Sequence, residues 1–408
     1  MTHETRTIRP DELIPWLECM NSSFLERPNN ARLAEQVAPH WDFARLWGTF
    51  DGTVVGTLRS WATEVTVPGG ALVPATAITA VSARPTHRRQ GILRQMIGRE
   101  HDAARERGEQ LAVLNVSEAP IYGRFGYGVG VQWATWVLDA RATAFVGEPA
   151  TRIDLLPVEA ATSDLMKNLF DQRRRAWTGE IRRRDVTFAM DIGLVEIEWD
   201  GPWKGWVAVH RDEAGDPDGF VRYTGKDNWE HRQPRSALNV RDLVALNDVA
   251  YDALWRFMAD IDFVATIRAD RRSADERLPW ILTNRRAAEL TELSDGLWVK
   301  VLDIPAALSA RAYERHGDLV IEVIDGETAD TRTRVHLDAG PDGADCVETR
   351  LAADLTIHAE ALGAAYLGGS PLRNAVLTRG FEEHRSGALA EADALFRTVD
   401  PPRCSTAF

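Results

Sequence analysis

The stretch Val81-Ser82-Ala83-Arg84-Pro85-Thr86-His87-Arg88-Arg89-Gln90-Gly91-Ile92-Leu93 decides how this chain is read. Upstream of it, residues 75–83 are rich in β-branched side chains and stop before Pro85, which marks the end of a strand. Downstream, Leu93, Met96, Ile97, His101 and Ala104 recur at three- and four-residue spacing, so residues 92–107 are expected to form a helix. Gly108 is placed to stop it. Residues 111–116 are apolar enough for a strand buried on both faces. Strand, basic turn, helix and strand in this order make a βαβ-like unit with a right-handed crossover. The turn also has its own chemistry. The first N–H groups of a helix lack intrahelical acceptors, and the helix dipole adds positive potential there. Gly91 lets the backbone approach a ligand closely, and Arg88, Arg89 and Arg94 add charge, so the turn reads as a phosphate cradle. It lacks the G-x-x-x-x-G-K-[ST] of a Walker loop and has one glycine where a dinucleotide fingerprint has three.

The rest of the chain surrounds this unit with an ordinary globular composition. Its 408 residues suggest two to four domains, and 44% hydrophobic with 27% charged residues excludes disorder of the whole. No apolar run approaches the roughly 20 residues of a bilayer span, and the first thirty residues lack a signal-type apolar core. Three scattered cysteines, Cys19, Cys346 and Cys404, make neither a disulfide framework nor a zinc site. A cytoplasmic location is expected, with export by a route lacking a recognisable signal left open, and no metal is expected. The net charge is −13, and the negative excess lies entirely beyond residue 145. Nucleic acid is therefore a poor partner, no membrane partner is expected, and a cationic partner is favoured in general terms.

The pattern divides the chain into units at 1–145, 146–295 and 296–408. A strand at 54–60 follows the turn Asp51-Gly52, and residues 142–152 read as a linker. In the second unit, helices are expected at 160–177 and 248–260, with strands at 153–156, 205–210 and 219–223. Residues 239–244 stand where the first copy has residues 79–84, but no glycine-rich turn follows them, so a second copy would have lost its phosphate site. Strand 297–302 is expected to open the third unit, with strands at 319–324, 332–338 and 352–357 and helices at 305–313, 358–366 and 370–379. The clusters Arg173-Arg174-Arg175 and Arg182-Arg183-Arg184 lie among Asp171, Glu180 and Asp185 and read as solvated helix ends.

A second informative stretch is Ser117-Glu118-Ala119-Pro120-Ile121-Tyr122-Gly123-Arg124-Phe125-Gly126-Tyr127-Gly128. By itself it is an aromatic, glycine-rich loop. Arg88-Arg89-Gln90-Gly91-Ile92-Leu93, however, resembles the coenzyme A signature [QR]-x-x-G-x-[GA] of GNAT acetyltransferases, with Leu93 replacing the final small residue. Together with Thr86-His87-Arg88-Arg89 and Ile121-Tyr122-Gly123-Arg124-Phe125-Gly126-Tyr127-Gly128, it is similar to the Eis family of mycobacteria and other actinobacteria. Leu297-Trp298-Val299-Lys300, Ala365-Tyr366-Leu367-Gly368-Gly369 and the terminal Phe408 extend the resemblance over the whole length.

The resemblance implies an α+β protein with tandem GNAT domains, the second degenerate, and a C-terminal domain similar to sterol carrier proteins. It implies acetyl-CoA as cosubstrate, a small cationic amine as acceptor, aminoglycosides and polyamines among them, and a homohexamer. Carried over by position, Tyr122 is the general acid and the Phe408 carboxylate the general base. Val81, Ser82, Ala83, Arg88, Arg89, Gln90, Gly91, Ile92, Leu93, Arg94, Ser117 and Glu118 hold the cofactor. Phe24 and Glu26 line the acceptor pocket, which Ala80 and Ala407 would make wider and less acidic than in some members. Tyr127 is the competing phenol. A protein lysine or small metabolite as acceptor, and a CoA- or lipid-binding scaffold with a vestigial site, are the alternative readings.

Overall fold

The strand Leu111–Leu114 is buried at every position and pairs in parallel with Leu72–Ala83, the helix Ile92–Glu106 lying between them in the chain. The computed structural model describes residues 3–147, 152–199, 201–326 and 331–408. Alternation along the central strands sorts side chains onto two faces. Ala112 and Leu114 join Ile92, Met96 and Ile97 of the helix in one core. Leu111 and Val113 face the other way, into a core shared with Leu319, Ile321, Val335 and Leu355 of the C-terminal unit. The first sheet is thus covered on both sides.

That sheet has seven strands in the order Glu4–Thr7, Leu46–Asp51, Thr53–Thr66, Leu72–Ala83, Leu111–Leu114, Trp298–Val301, Gly128–Val129. Helices Leu13–Ser23 and Asn30–Val37, which the residue pattern did not announce, pack with Trp16, Leu17 and Leu33 into a separate core over this sheet. The second sheet runs Ala288–Asp295, Gln132–Asp139, Val264–Arg272, Ser236–Ala245, Pro217–Lys226, Gly205–Arg211, Arg152–Leu156. It repeats the strand–helix–strand order, with Ser236–Ala245 parallel to Val264–Arg272 and helix Asp248–Ala259 between them. The third sheet has five strands, Gly343–Glu348, Thr331–Gly340, Gly317–Asp325, Leu355–His358 and Phe381–Glu383. Each of the first two sheets has a single parallel pair among antiparallel ones, so two tandem α+β domains and a C-terminal α+β domain result, as expected.

Two strands sit across the expected divisions. Gln132–Asp139, expected in the first unit, pairs in the second sheet. Trp298–Val301, expected to open the third unit, pairs with Leu111–Leu114 and completes the first sheet. Residues 142–147 of the expected linker dock on the second domain, where Phe145 bridges to Leu282; residues 148–151 lie outside the described set. The arginine clusters also differ from expectation: Arg174 and Arg183 are buried, paired with Asp171 and Asp242.

The third domain meets the first sheet at backbone distance. A Cβ on Gly128 would lie 2.1 Å from the Glu360 carbonyl oxygen and 2.5 Å from the Ala364 nitrogen. Both are main-chain atoms of helix Ala359–Ala365 and cannot move alone. Gly128→Ala is expected to cost about 1–3 kcal/mol through overpacking. The measurement is a thermal melt, and an unchanged midpoint would show that helix and strand are not this close.

Candidate active site

The site begins with a β-bulge. Thr57 pairs with Ser82 and Arg59 with Thr79, so Ala80 and Val81 together face Leu58. Ala80 has φ of 52°, a left-handed value that alanine adopts at a cost the bulge imposes. Thr57 Oγ1 stabilises the bulge, lying 2.8 Å from the Ala80 carbonyl and 2.7 Å from Ser82 Oγ. Parallel pairing with Leu111–Leu114 stops at Ile78 and Leu114, immediately before the bulge. Among the described residues no backbone hydrogen bond joins 79–83 to 115–118, so the two strand ends splay apart. Val81 and Ala83 therefore line one wall of a slot, and Ser117 and Glu118, both exposed, lie past the end of the other.

The basic turn opens the helix beside this slot. Gly91 is the N-cap, with φ of 77°, and no side chain caps the helix. A Cβ at Gly91 would meet nothing, so its conformation and not crowding is what requires glycine. Arg89 is also left-handed, at φ 63°. The first helical bond runs from Gln95 N–H to the Gly91 carbonyl, which leaves the preceding N–H groups aimed out of the helix. Arg88 and Arg89 are exposed, and neither forms an ion pair among the described residues. Gln90 bonds His3 at 2.8 Å. Ile92 is buried and Leu93 half-buried in the helix core, so their backbone and not their side chains can meet a ligand.

Tyr122 lies between two 3-10 turns, Ala119–Ile121 and Gly123–Phe125. It is 8% exposed and packs in the same core as Ile78 and Leu114, the last residues before the splay. Desolvation, with a contribution from Glu118, pushes its phenol up to about 12. Tyr127 stands edge-on to it, with ring centroids 6.1 Å apart. Tyr127 is completely buried and its hydroxyl lies 2.7 Å from His101 Nε2. Burial raises Tyr127 and lowers His101, so both stay neutral. Tyr127 is thus sealed in, whereas Tyr122 keeps a small exposure.

Phe408 reaches the same place from the far end of the chain. Its N–H donates to Asn115 Oδ1 at 2.9 Å, and its ring packs edge-on to Trp61 at 4.8 Å. Asn115 follows directly on Leu114, and its Nδ2 donates to the Gly296 carbonyl. Tyr122 belongs to the helix-side core and Phe408 to the core on the opposite face, with the strand end between them. Two cations surround Trp61: the Arg59 and Arg184 guanidiniums lie 5.1 and 5.3 Å from its ring. Burial lowers both, and Arg184 lowers Arg59 further. Phe24 and Glu26 follow the helix Leu13–Ser23 and are exposed. Among the described residues no hydrogen bond, ion pair or ring contact joins them to Tyr122 or Phe408. Asn115 and Trp61 were not singled out from the sequence; a lone Asn ending an apolar run was the available signal.

The second domain keeps the geometry and closes it. Its parallel pairing ends at Val240 and Ala269, next to an extra residue, Arg241. Arg271 then donates to the Arg241 carbonyl at 3.3 Å and Arg272 to the Leu243 carbonyl at 3.2 Å. Two guanidiniums thereby take acceptors that line the corresponding slot. The three cysteines are free and buried, and burial raises each thiol, so none is poised as a nucleophile. Among the described residues no cluster of three or more His, Cys, Asp or Glu could hold a metal, and no helix is long and apolar enough to cross a membrane.

Comparison with known proteins agrees with this architecture. Residues 4–130 and 179–301 each match an acetyltransferase (GNAT) domain family, and 304–405 match a sterol carrier protein domain. An uncharacterized N-acetyltransferase of Streptomyces griseus is 37% identical over 100% of both chains. N-acetyltransferase Eis of Mycobacterium tuberculosis is 30% identical, over 85% of this chain and 80% of its own. The crystal structure of Eis1 from Mycobacterium abscessus superposes with a TM-score of 0.85 at 31% identity, covering 99% of this chain and 100% of that one. The GNAT fold carries acyl-CoA use with it.

Because Arg271 and Arg272 take carbonyl acceptors beside the second strand pair and no arginine does so beside the first among the described residues, titration with coenzyme A in a calorimeter is expected to give one site per chain. Two sites of comparable affinity would show that Arg271 and Arg272 do not close the second.

Proposed function

We propose, for a chain that belongs to the Eis family of N-acetyltransferases and is an acyltransferase enzyme, that it transfers the acetyl group of acetyl-CoA directly to a primary amine. Small cationic amines, aminoglycosides and polyamines among them, are the acceptor class. The observation that carries this reading is the docking of Phe408 on Asn115 and Trp61, at the end of the slot that Tyr122 flanks from the other face.

The chemistry follows from that arrangement. Val81 and Ala83 would line the pantetheine arm in the splay, and the N–H groups and arginines of 88–94 would hold the pyrophosphate. The acceptor enters as an ammonium and gives a proton to the Phe408 carboxylate, directly or through water. An α-carboxyl with a pKa near ~3.5 is a weak base, so holding the ammonium beside the thioester matters as much as accepting its proton. The neutral nitrogen attacks the carbonyl carbon, forming C–N. A backbone N–H stabilises the oxyanion, and collapse breaks C–S. Tyr122 supplies a proton to the departing sulfur, and the proton that the new amide nitrogen sheds returns to the phenol. A phenol near 12 facing a thiol of pKa ~8.5 is an uphill donor in water. The same dry surroundings raise the thiolate's pKa, which narrows the gap.

A second reading rests on charge. Arg59 and Arg184 place two cations at Trp61, the ring that supports Phe408. They repel a polycation more strongly than an acceptor with a single ammonium, which favours a protein lysine or a small metabolite amine.

Both readings are tested by thiol release from acetyl-CoA with aminoglycosides, polyamines and lysine peptides. Tyr122→Phe is expected to lower kcat about 100-fold or more with little change in the KM for acetyl-CoA. Faster turnover of singly charged amines would select the second reading, and no turnover of any amine would sink both.

The working form of Tyr122 is the neutral phenol. With its pKa raised to about 12, that form persists through the alkaline range, so kcat should show no alkaline limb below about pH 10. A fall near pH 9 that disappears in Tyr122→Phe would contradict this.

A further inference from the structure

The last residues of a chain usually fray unless something ties them down. Here the tail is tied by a buried carboxyl whose acceptors it fills. Glu180 has no exposed surface. Its carboxyl accepts from Ser405 N–H at 2.7 Å, Ser405 Oγ at 2.8 Å and Thr406 Oγ1 at 2.7 Å, with Cys404 Sγ at 3.4 Å. Among the described residues it accepts beyond these only from its neighbour, the Ile181 N–H, at 3.1 Å. Arg183 completes the arrangement. It donates through Nε to Thr406 Oγ1 and through Nη2 to Ser405 Oγ, both at 2.9 Å, and pairs with buried Asp242. Each tail hydroxyl thus donates to Glu180 and accepts from Arg183.

The clamp is fixed to the strand that also supports the terminus. Thr66 N–H donates to the Glu180 carbonyl, Gly179 N–H to the Thr66 carbonyl and Arg182 N–H to the Glu64 carbonyl. Trp61, which bears the Phe408 ring, is on that same strand, Thr53–Thr66. The tail is also held by Arg403 N–H to the Thr178 carbonyl and Trp133 Nε1 to the Cys404 carbonyl. Undocking the tail would leave Glu180 buried with its acceptors empty, a costly state.

We infer that Glu180 and Arg183, through Ser405 and Thr406, are positioning residues that hold the terminal carboxylate of Phe408 in register with the first domain's slot. They touch neither substrate nor cofactor. The inference rests on the reading of Phe408 as the base, and it assigns to residues 180–183 of the second domain the role of setting that base.

The test compares Glu180→Gln, Thr406→Val and Thr406→Ser in the full chain and in a chain ending at Ala407. In the full chain, Glu180→Gln and Thr406→Val should lower kcat about 10- to 100-fold, as small misplacements do. The KM for acetyl-CoA should stay within about 2-fold, and Thr406→Ser, which keeps the hydroxyl, should retain wild-type kcat. In the chain ending at Ala407 none of them should lower kcat further. Carboxypeptidase should also release Phe408 faster from Glu180→Gln and Thr406→Val than from wild type. Equal losses in both backgrounds, or unchanged kcat and unchanged Phe408 release in the full chain, would overturn the clamp. If the chain ending at Ala407 keeps full kcat, the terminal base itself is wrong, and the positioning role falls with it. Should Glu180→Gln fail to fold, Thr406→Val and its serine counterpart decide alone.

Discussion

The structure depends on the place where one pair of parallel strands stops pairing. From Ala75 to Ile78 and from Leu111 to Leu114 the strands are bonded and buried, and the sheet is rigid. One extra residue at Ala80 then turns the first strand away. Backbone groups that a continued ladder would have consumed line a slot, and the uncapped helix at Gly91 opens beside it. Tyr122 packs against the end of this pair from the loop that follows it, and Phe408 reaches Asn115 from 293 residues along the chain.

The second domain shows what happens when the same geometry is not kept for a ligand. It has the extra residue, the parallel pair and the crossover helix, yet arginine side chains donate to the carbonyls along the gap. A splayed pair leaves polar groups that must be satisfied. A ligand can do that in the first domain, and Arg271 and Arg272 do it in the second. The second domain instead supplies structure, because its own Glu180 and Arg183 hold the tail. The third domain returns the chain to the first sheet with a shared apolar core and a backbone contact at Gly128. All three units therefore meet where the first sheet's parallel pair ends, through Asn115, Glu180 and the C-terminal tail.

The sequence by itself determined what short-range periodicity and turn chemistry control. Alternation in 75–83, the apolar run from Leu111 and the three- and four-residue spacing from Leu93 to Ala104 each act within one element, and those elements form nearly where expected. Gly91 marked the start of the helix for the same reason. Only the tertiary structure decided the rest. Asn115 and Phe408 are 293 residues apart, and no local pattern records that they meet. Trp298–Val301 looked like the start of a new unit because its hydrophobicity says that it is buried and not against which partner. Arg183 resembled a solvated charge because composition cannot tell an exposed arginine from one whose cost of burial is offset by Asp242. Long-range closure and the desolvation of paired charges are properties of the packed chain, and there the reading from residues alone ends.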